Sequence, residues 1–86
     1  MPRPLKFDYK VLENIACLSG SGTNYRKELR RISWNEQPET FDLRMWHYND
    51  AGQEFALRGV TLTDSEMKVL VQEMLKYQGG AYGKHD

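Results

Sequence analysis

Two neighbouring stretches decide how this chain folds: RKELRRISW at residues 26–34 and TFDLRMWHY at residues 40–48. The second alternates strictly, with Phe41, Leu43 and Met45 on one side and polar or aromatic residues on the other. Such a period of two is typical of a strand with one buried face. A short polar turn that contains a proline joins the two stretches. We therefore expect two adjacent strands of an antiparallel sheet.

One further strand is predicted before this pair and one after it. The first covers roughly residues 13–19 and ends at a glycine-rich loop, and the fourth covers residues 54–62. The second and fourth strands break their alternation, so we expect one bulge near residues 30–31 and another near Gly59. Bulges bend and twist a sheet. The expected sheet is therefore curved.

One helix follows the strands. Thr63 and Glu66 form a capping-box pattern, and apolar residues then recur at helical spacing until Gly79 and Gly80 end the helix. The predicted fold is α+β, with a curved four-stranded antiparallel sheet followed by one C-terminal helix (ββββα). We expect an N-terminal arm at residues 1–12, a single domain at residues 13–78 and a flexible tail at residues 79–86.

Length and composition limit the possible classes of protein. With 86 residues there is room for one domain of marginal stability. Cys17 is the single cysteine and is expected to be a packed, reduced thiol. No apolar run is long enough to span a bilayer, and the start lacks the apolar core of a secretory signal. A soluble cytoplasmic protein is expected, associated with the nucleoid if the source is bacterial.

Catalytic chemistry has little support in this sequence. His47 has no nucleophile motif nearby, the glycine-rich loop lacks the glycine-lysine pair of a phosphate-binding loop, and one cysteine with two scattered histidines is not a metal-site pattern. Asp42 is expected to form an ion pair with a neighbouring arginine. We therefore expect no enzymatic activity, no metal and no cofactor.

The charged residues are distributed unevenly. The net charge is zero, with 12 basic and 12 acidic residues, but residues 1–31 hold an excess of four cations and the rest an equal excess of acids. A polarised molecule can present one basic face while remaining neutral overall. Cations bind phosphates and aromatic rings stack on bases, so the mixture in residues 26–48 favours binding of unpaired nucleic acid.

The two tryptophans have different expected roles. Trp46 shares its side of the strand with Asp42, Arg44 and Tyr48, which is a poor core face, so it is expected to stack on a ligand. Strict alternation puts Trp34 on the same side as Ile32, and both a core role and a stacking role remain open for it.

The chain resembles the transcriptional positive cofactor 4 family, and within it the small bacterial YdbC-like branch. The order of elements and several short motifs carry this resemblance over about residues 13–76: RKEL at 26–29, SWN at 33–35, FDLR at 41–44 and RGVTLT at 58–63. His47 stands where the eukaryotic members have a DNA-stacking tryptophan, and Trp46 lies one position earlier, as in the bacterial branch.

The resemblance implies a homodimer joined through the helices, in which each curved sheet offers a groove to single-stranded DNA. Arg44 matches an arginine of the family motif, and Trp34 lies at or beside a base-stacking aromatic of strand two. The residues expected to bind nucleic acid are Tyr25, Arg26, Lys27, Arg30, Arg31, Trp34, Arg44, Trp46, Tyr48 and Arg58. Those expected at the dimer interface are Met67, Val69, Leu70, Val71 and Met74.

The sequence thus predicts a non-enzymatic single-stranded DNA-binding protein of the transcriptional coactivator type, with little sequence preference. One alternative is an RNA-binding module. Another is a protein-interaction subunit that uses the helix face and whose basic strands are simply solvated.

Overall fold

The computed structural model describes residues 8–78. They form four strands and one helix: β1 (Tyr9–Ser19), β2 (Tyr25–Trp34), β3 (Thr40–Tyr48), β4 (Glu54–Leu62) and α1 (Asp64–Lys76). The strands pair in the order β1-β2-β3-β4, and every pair is antiparallel. The predicted ββββα order and antiparallel sheet are confirmed.

The boundary predicted for the domain needs one correction. β1 begins at Tyr9 rather than near Glu13, so residues 9–12 belong to the sheet and not to an N-terminal arm. The rest of the predicted arm and the predicted flexible tail at residues 79–86 lie outside the described residues.

The alternation of β3 separates the sheet into two faces, as predicted. Leu29 of β2 lies opposite Leu43, and Arg30 lies opposite Asp42. The apolar face carries Leu29, Phe41, Leu43, Met45 and Val60. The polar face carries Tyr9, Arg30, Trp34, Asp42, Arg44, Trp46, Tyr48 and Glu54.

The sheet curls toward the polar face. Tyr9 of β1 donates a hydrogen bond from its hydroxyl to Glu54 Oε2 of β4 over 2.8 Å. In a flat sheet the first and fourth strands would lie about 14 Å apart, three times the spacing of neighbouring strands. The contact therefore requires the concave curvature that the sequence predicts.

The best-buried side chains lie on the polar face. Trp46, Ile32 and Asp42 are fully buried, and Arg30 is only 4 % exposed. The expectation that Trp46 is an exposed stacking ring is wrong, because other side chains cover it. The Arg30 guanidinium lies 4.2 Å from the centroid of the Trp46 ring, and the Tyr9 ring lies 5.6 Å from it.

The irregularities of the sheet are concentrated in β1. Relative to β2, β1 has extra residues between Val11 and Glu13, between Asn14 and Ala16, and between Cys17 and Ser19. The bulge predicted near residues 30–31 of β2 is therefore wrong, since the extra residues belong to the partner strand. Leu29 and Ile32 differ in parity because they lie on opposite faces.

The bulge predicted near Gly59 is confirmed. Gly59 pairs with Arg44 and Ala56 pairs with Trp46, so β4 has one more residue than β3 between these pairs. A side-chain carbon at Gly59 would overlap Arg44 Cβ and crowd the Leu43 carbonyl oxygen. Glycine is needed here because the two backbones approach each other closely.

The helix begins as predicted but buries little of its surface. Thr63 accepts a hydrogen bond from the Glu66 amide, and Glu66 accepts one from the Thr63 amide, which completes the capping box. None of the helix residues is buried. The exposed apolar side chains of the helix are Val69 (57 %), Leu70 (43 %), Val71 (46 %), Met74 (43 %) and Leu75 (62 %).

The environment of the cysteine differs from the prediction. Cys17 is exposed rather than packed, and its thiol donates to the Ser19 carbonyl over 3.3 Å. It lies next to one of the bulges of β1, so the alternation that suggested an inward-facing side chain does not persist there.

Candidate nucleic-acid interface

The buried carboxylate of Asp42 organises one end of the polar face. It accepts a hydrogen bond from Trp34 Nε1 at 3.0 Å, and bonds from Arg44 Nε and Nη2, both at 2.8 Å. The alternation of β3 places Asp42 and Arg44 on the same face, and the β2–β3 hairpin brings Trp34 to them. The predicted ion pair of Asp42 with a neighbouring arginine is confirmed.

Arg44 is fixed from a second direction. Its Nη1 donates to the Leu57 carbonyl oxygen of β4 over 2.9 Å, and its guanidinium lies 4.9 Å from the centroid of the Trp34 ring. The side chain remains 15 % exposed. The β4 bulge follows Leu57 directly, so the irregular strand supplies the acceptor that orients this arginine.

A pocket of about 440 Å³ opens beside Arg44. We call it the Arg44 pocket. The β2–β3 turn and the paired strands β3 and β4 form its walls. The residues that line it are Trp34, Asn35, Gln37, Pro38, Thr40, Arg44, Ala56, Leu57 and Thr61.

Arg30 occupies the centre of the polar face and is heavily paired. Its guanidinium donates two hydrogen bonds to Glu54, at 3.1 and 3.0 Å, and one to the Tyr48 hydroxyl at 3.0 Å. It also forms an ion pair with Glu28 at 2.7 Å. An arginine enclosed by two carboxylates cannot serve as a phosphate ligand in this arrangement, so Arg30 is a structural residue here.

Two buried donors in this cluster have no hydrogen-bond partner among residues 8–78. They are Arg30 Nε and Trp46 Nε1. A buried N–H without an acceptor costs about 1–3 kcal/mol. The stacking of the guanidinium over the indole ring offsets part of this cost, since cation–π contacts contribute about 0.5–2 kcal/mol.

The ionisation of the cluster is shifted accordingly. Burial raises the pKa of the Tyr9 hydroxyl to about 12, and its hydrogen bond to Glu54 adds to the shift. The hydrogen bonds from Arg30 lower the pKa of Glu54 against the opposing effect of burial. Both shifts favour the protonated phenol and the ionised carboxylate, which is the pair that joins β1 to β4.

The other end of the polar face also combines a cation with an aromatic ring. The Arg26 guanidinium lies 3.9 Å from the centroid of the Tyr48 ring, and Arg26 Nε donates to the Thr23 carbonyl oxygen. A second pocket of about 420 Å³ lies there. Its lining residues are Asn14, Ile15, Ala16, Cys17, Arg26, Glu28, Leu29, Arg30 and Tyr48.

The basic segment of residues 26–31 does not form one patch. Arg26 and Arg30 lie on the polar face, whereas Lys27 and Arg31 lie on the opposite one, across from Met45 and Phe41. Arg31 pairs with Glu39 at 2.7 Å and with Asp64 at 3.0 Å. The basic residues of this segment, all predicted to bind nucleic acid, are therefore divided between the two faces of the sheet.

The remaining predicted residues are dispersed. Tyr25 is exposed and contacts the His47 ring on the apolar side of the sheet, with 4.6 Å between centroids. Arg58 is exposed and lies in the β4 bulge. Trp34 is partly buried and contacts Tyr9 at 5.0 Å and Trp46 at 6.4 Å, between ring centroids. The structure thus brings together Arg26, Arg30, Trp34, Arg44, Trp46 and Tyr48.

Sequence reasoning missed three members of the polar face. Glu28 and Glu54 were given no role in the predicted site, and Tyr9 fell in the predicted N-terminal arm. The position of Glu28 two residues before Arg30 was a usable signal, because side chains two apart on a strand share a face. No local pattern indicates that Tyr9 reaches the fourth strand.

Two general properties limit the kinds of site present. Within residues 8–78 no group of three histidine, cysteine, aspartate or glutamate side chains is arranged to hold a metal ion. In the same part of the chain no helix is long and apolar enough to cross a membrane.

Comparison with known proteins gives one informative relative. No protein-family model matches the chain. An uncharacterized protein of Treponema pallidum (strain Nichols) is 41 % identical over 64 residues, which cover 74 % of this chain and 72 % of that protein. This chain therefore belongs to the same family as the Treponema pallidum protein.

Proposed function

We propose that the protein binds single-stranded DNA, without enzymatic activity, as a cytoplasmic homodimer of the transcriptional coactivator type related to the transcriptional positive cofactor 4 family. The observation that carries this proposal is the Asp42 network. One buried carboxylate holds both the Trp34 indole and the Arg44 guanidinium beside an open pocket on a concave face.

Preorganisation is the reason that this network supports binding. A cation and an aromatic ring are the two groups that grip unpaired strands, through phosphates and bases respectively. Fixing them before the ligand arrives removes much of the cost of ordering long side chains. Arg26 over the Tyr48 ring repeats the combination at the other end of the polar face.

The buried centre of the face has a different role in this proposal. Trp46, covered by Arg30, supports the floor of the groove and does not stack on bases. Arg44, Trp34, Arg26 and Tyr48 are the residues that contact the strand. Arg58, exposed on the β4 bulge directly after the pocket residue Leu57, supplies an additional cation.

The exposed helix supports a homodimer. No part of the described chain covers the apolar stripe on α1. Burying this stripe against another molecule would contribute about 2.5 kcal/mol for each 100 Å² of apolar surface. We assign the interface to Met67, Val69, Leu70, Val71 and Met74. The same surface is the basis of the alternative function, a protein-interaction subunit that binds a different partner.

The test is a titration of a fluorescein-labelled oligothymidylate followed by fluorescence anisotropy. The same strand annealed into a duplex, and an RNA of equal length, serve as competitors. We expect the single DNA strand to bind more tightly than the duplex, and log K to fall against log[salt] by about 0.7 for each phosphate contacted. Equal affinity for duplex and single strand would contradict the proposal, and tighter binding of RNA would favour an RNA-binding module.

A matched pair of variants links binding to the site. Asp42→Asn removes the charge that orients Arg44 and should lower the affinity, whereas Asp50→Asn removes the same charge from an exposed turn and should leave it unchanged. Circular dichroism of each variant separates a loss of binding from a loss of fold.

A further inference from the structure

The donor arrangement of Arg44 goes beyond a general attraction for phosphate. A guanidinium has five N–H groups in one plane. Nε–H and one N–H of Nη2 point to Asp42, and one N–H of Nη1 points to the Leu57 carbonyl oxygen. One N–H on each terminal nitrogen is left, and the side chain lines the Arg44 pocket. Two donors, one on each terminal nitrogen, therefore remain on a group that is held on two sides.

Two adjacent acceptors are the complement of this pair of donors. Among the bases, guanine presents O6 and N7 side by side, and a bidentate arginine is the commonest specific contact to it. On the edge that faces the major groove of a duplex, adenine places an amino donor beside its N7 and cytosine presents an amino donor, so each opposes an N–H of Arg44 with another N–H. Thymine offers a single acceptor on the corresponding edge. The Watson–Crick edge of an unpaired cytosine also has two adjacent acceptors, O2 and N3, so cytosine is the competing base.

The rest of the pocket agrees with a base as the occupant. Pro38, Ala56 and Leu57 supply apolar walls for a flat ring, and none of the described lining residues is acidic. The carboxylate that orients Arg44, that of Asp42, is fully buried and already accepts from Trp34 and Arg44. The volume of about 440 Å³ lies in the usual range of small-ligand sites.

We propose that the Arg44 pocket binds one guanine base of the bound strand, with Arg44 Nη1 and Nη2 donating to O6 and N7. This inference rests on the proposed single-stranded DNA binding and adds one selective position to an otherwise sequence-tolerant groove. Asp42 and Leu57 act as positioning groups, because they fix the plane of the guanidinium without contacting the base.

The test changes single atoms of the ligand, so it does not depend on any variant folding. Oligothymidylates carrying isolated guanines are compared, by fluorescence anisotropy, with strands carrying adenine, cytosine, hypoxanthine or 7-deazaguanine at the same positions. We expect guanine to be preferred over adenine by about fivefold to a hundredfold. Hypoxanthine, which keeps O6 and N7, should retain the preference, and 7-deazaguanine, which lacks N7, should lose most of it.

A substitution of Arg44 tests whether this side chain causes the preference for guanine. Arg44→Lys keeps the charge but not the fork of donors, so the ratio of guanine to adenine affinity should fall toward one. Lys68→Gln on the helix removes a charge far from the pocket in sequence and should leave this ratio unchanged.

The possible failures are distinguishable. If all of these strands bind tightly with equal affinity, as they would if Arg44 held a phosphate, or if cytosine binds as tightly as guanine, the guanine inference is overturned while the proposed function stands. If no single strand binds, both are overturned. If Arg44→Lys kept the preference for guanine, Arg44 would be excluded as the residue that recognises the base.

Discussion

The Tyr9 hydroxyl donates to Glu54 Oε2 over 2.8 Å and so connects the first strand of the sheet to the last. The same carboxylate accepts from Arg30, which covers Trp46. Curvature of the sheet, burial of the indole and pairing of the charges are therefore one cooperative arrangement. A change at any of these side chains is expected to affect the others.

Tyr9→Phe should lower the free energy of unfolding by about 1.5 kcal/mol at neutral pH, since the lost hydrogen bond is to a charged group. The pKa of Tyr9 is raised to about 12 in the folded state, so its contribution is complete below the unfolded pKa of about 10 and is lost as the pH rises toward 12. Urea denaturation from neutral to alkaline pH measures this. The difference between wild type and variant should shrink with rising pH.

The control for this experiment is Tyr25→Phe, because Tyr25 is 57 % exposed. It should change the urea midpoint little at any pH. If the difference in stability between wild type and Tyr9→Phe stayed constant through the alkaline range, the pKa of the Tyr9 hydroxyl would not be raised in the folded state.

Trp46→Ala should destabilise the protein by about 3–5 kcal/mol, the usual cost of emptying a buried aromatic site. For a chain of this size that is a large share of its total stability. Thermal unfolding followed by circular dichroism measures the loss. Phe55→Ala, at a 47 % exposed ring, should cost far less, and similar losses for both variants would contradict the burial of Trp46.

Gly59→Ala should cost about 3 kcal/mol, because the added methyl group overlaps Arg44 and must separate two paired strands. The displaced arginine should also weaken binding of single-stranded DNA. Gly52→Ala is the comparison, since a methyl group there meets no atom within 4 Å and only the positive φ of 84° is unfavourable. Chemical denaturation ranks the two variants, and an equal cost would argue against the close strand approach.

Leu70→Asp should shift the protein from dimer to monomer, because it places a charge in the centre of the proposed helix interface. Sedimentation equilibrium measures the mass directly. Gln72→Asp adds the same charge to a polar position on the same helix and should leave the dimer intact. A wild-type protein that is monomeric at high concentration would refute the dimer.

Local sequence patterns were sufficient to predict the features that depend on a few neighbouring residues. The strict alternation of β3, the capping box from Thr63 to Glu66 and the bulge near Gly59 were all predicted correctly from the sequence. Each depends on neighbours along the chain or on a directly paired strand, so the physical cause lies within the pattern itself.

The environment of Trp46 could not be predicted in this way. Charged neighbours on its face suggested solvent, but these charges neutralise one another and cover the ring. The covering groups include Tyr9, which is 37 positions away in sequence. The β1 bulges escaped prediction for a related reason, because they are defined only relative to β2.

The three bulges of β1 also affect how copies of the protein can meet. β1 is an edge of the sheet, and extra residues along its length put its backbone groups out of line with those of a regular strand. A straight strand of another molecule could not continue the ladder there, and natural proteins use such irregular edges to resist fibril growth. We therefore expect β1 to be a poor template for strand addition by another copy of the chain.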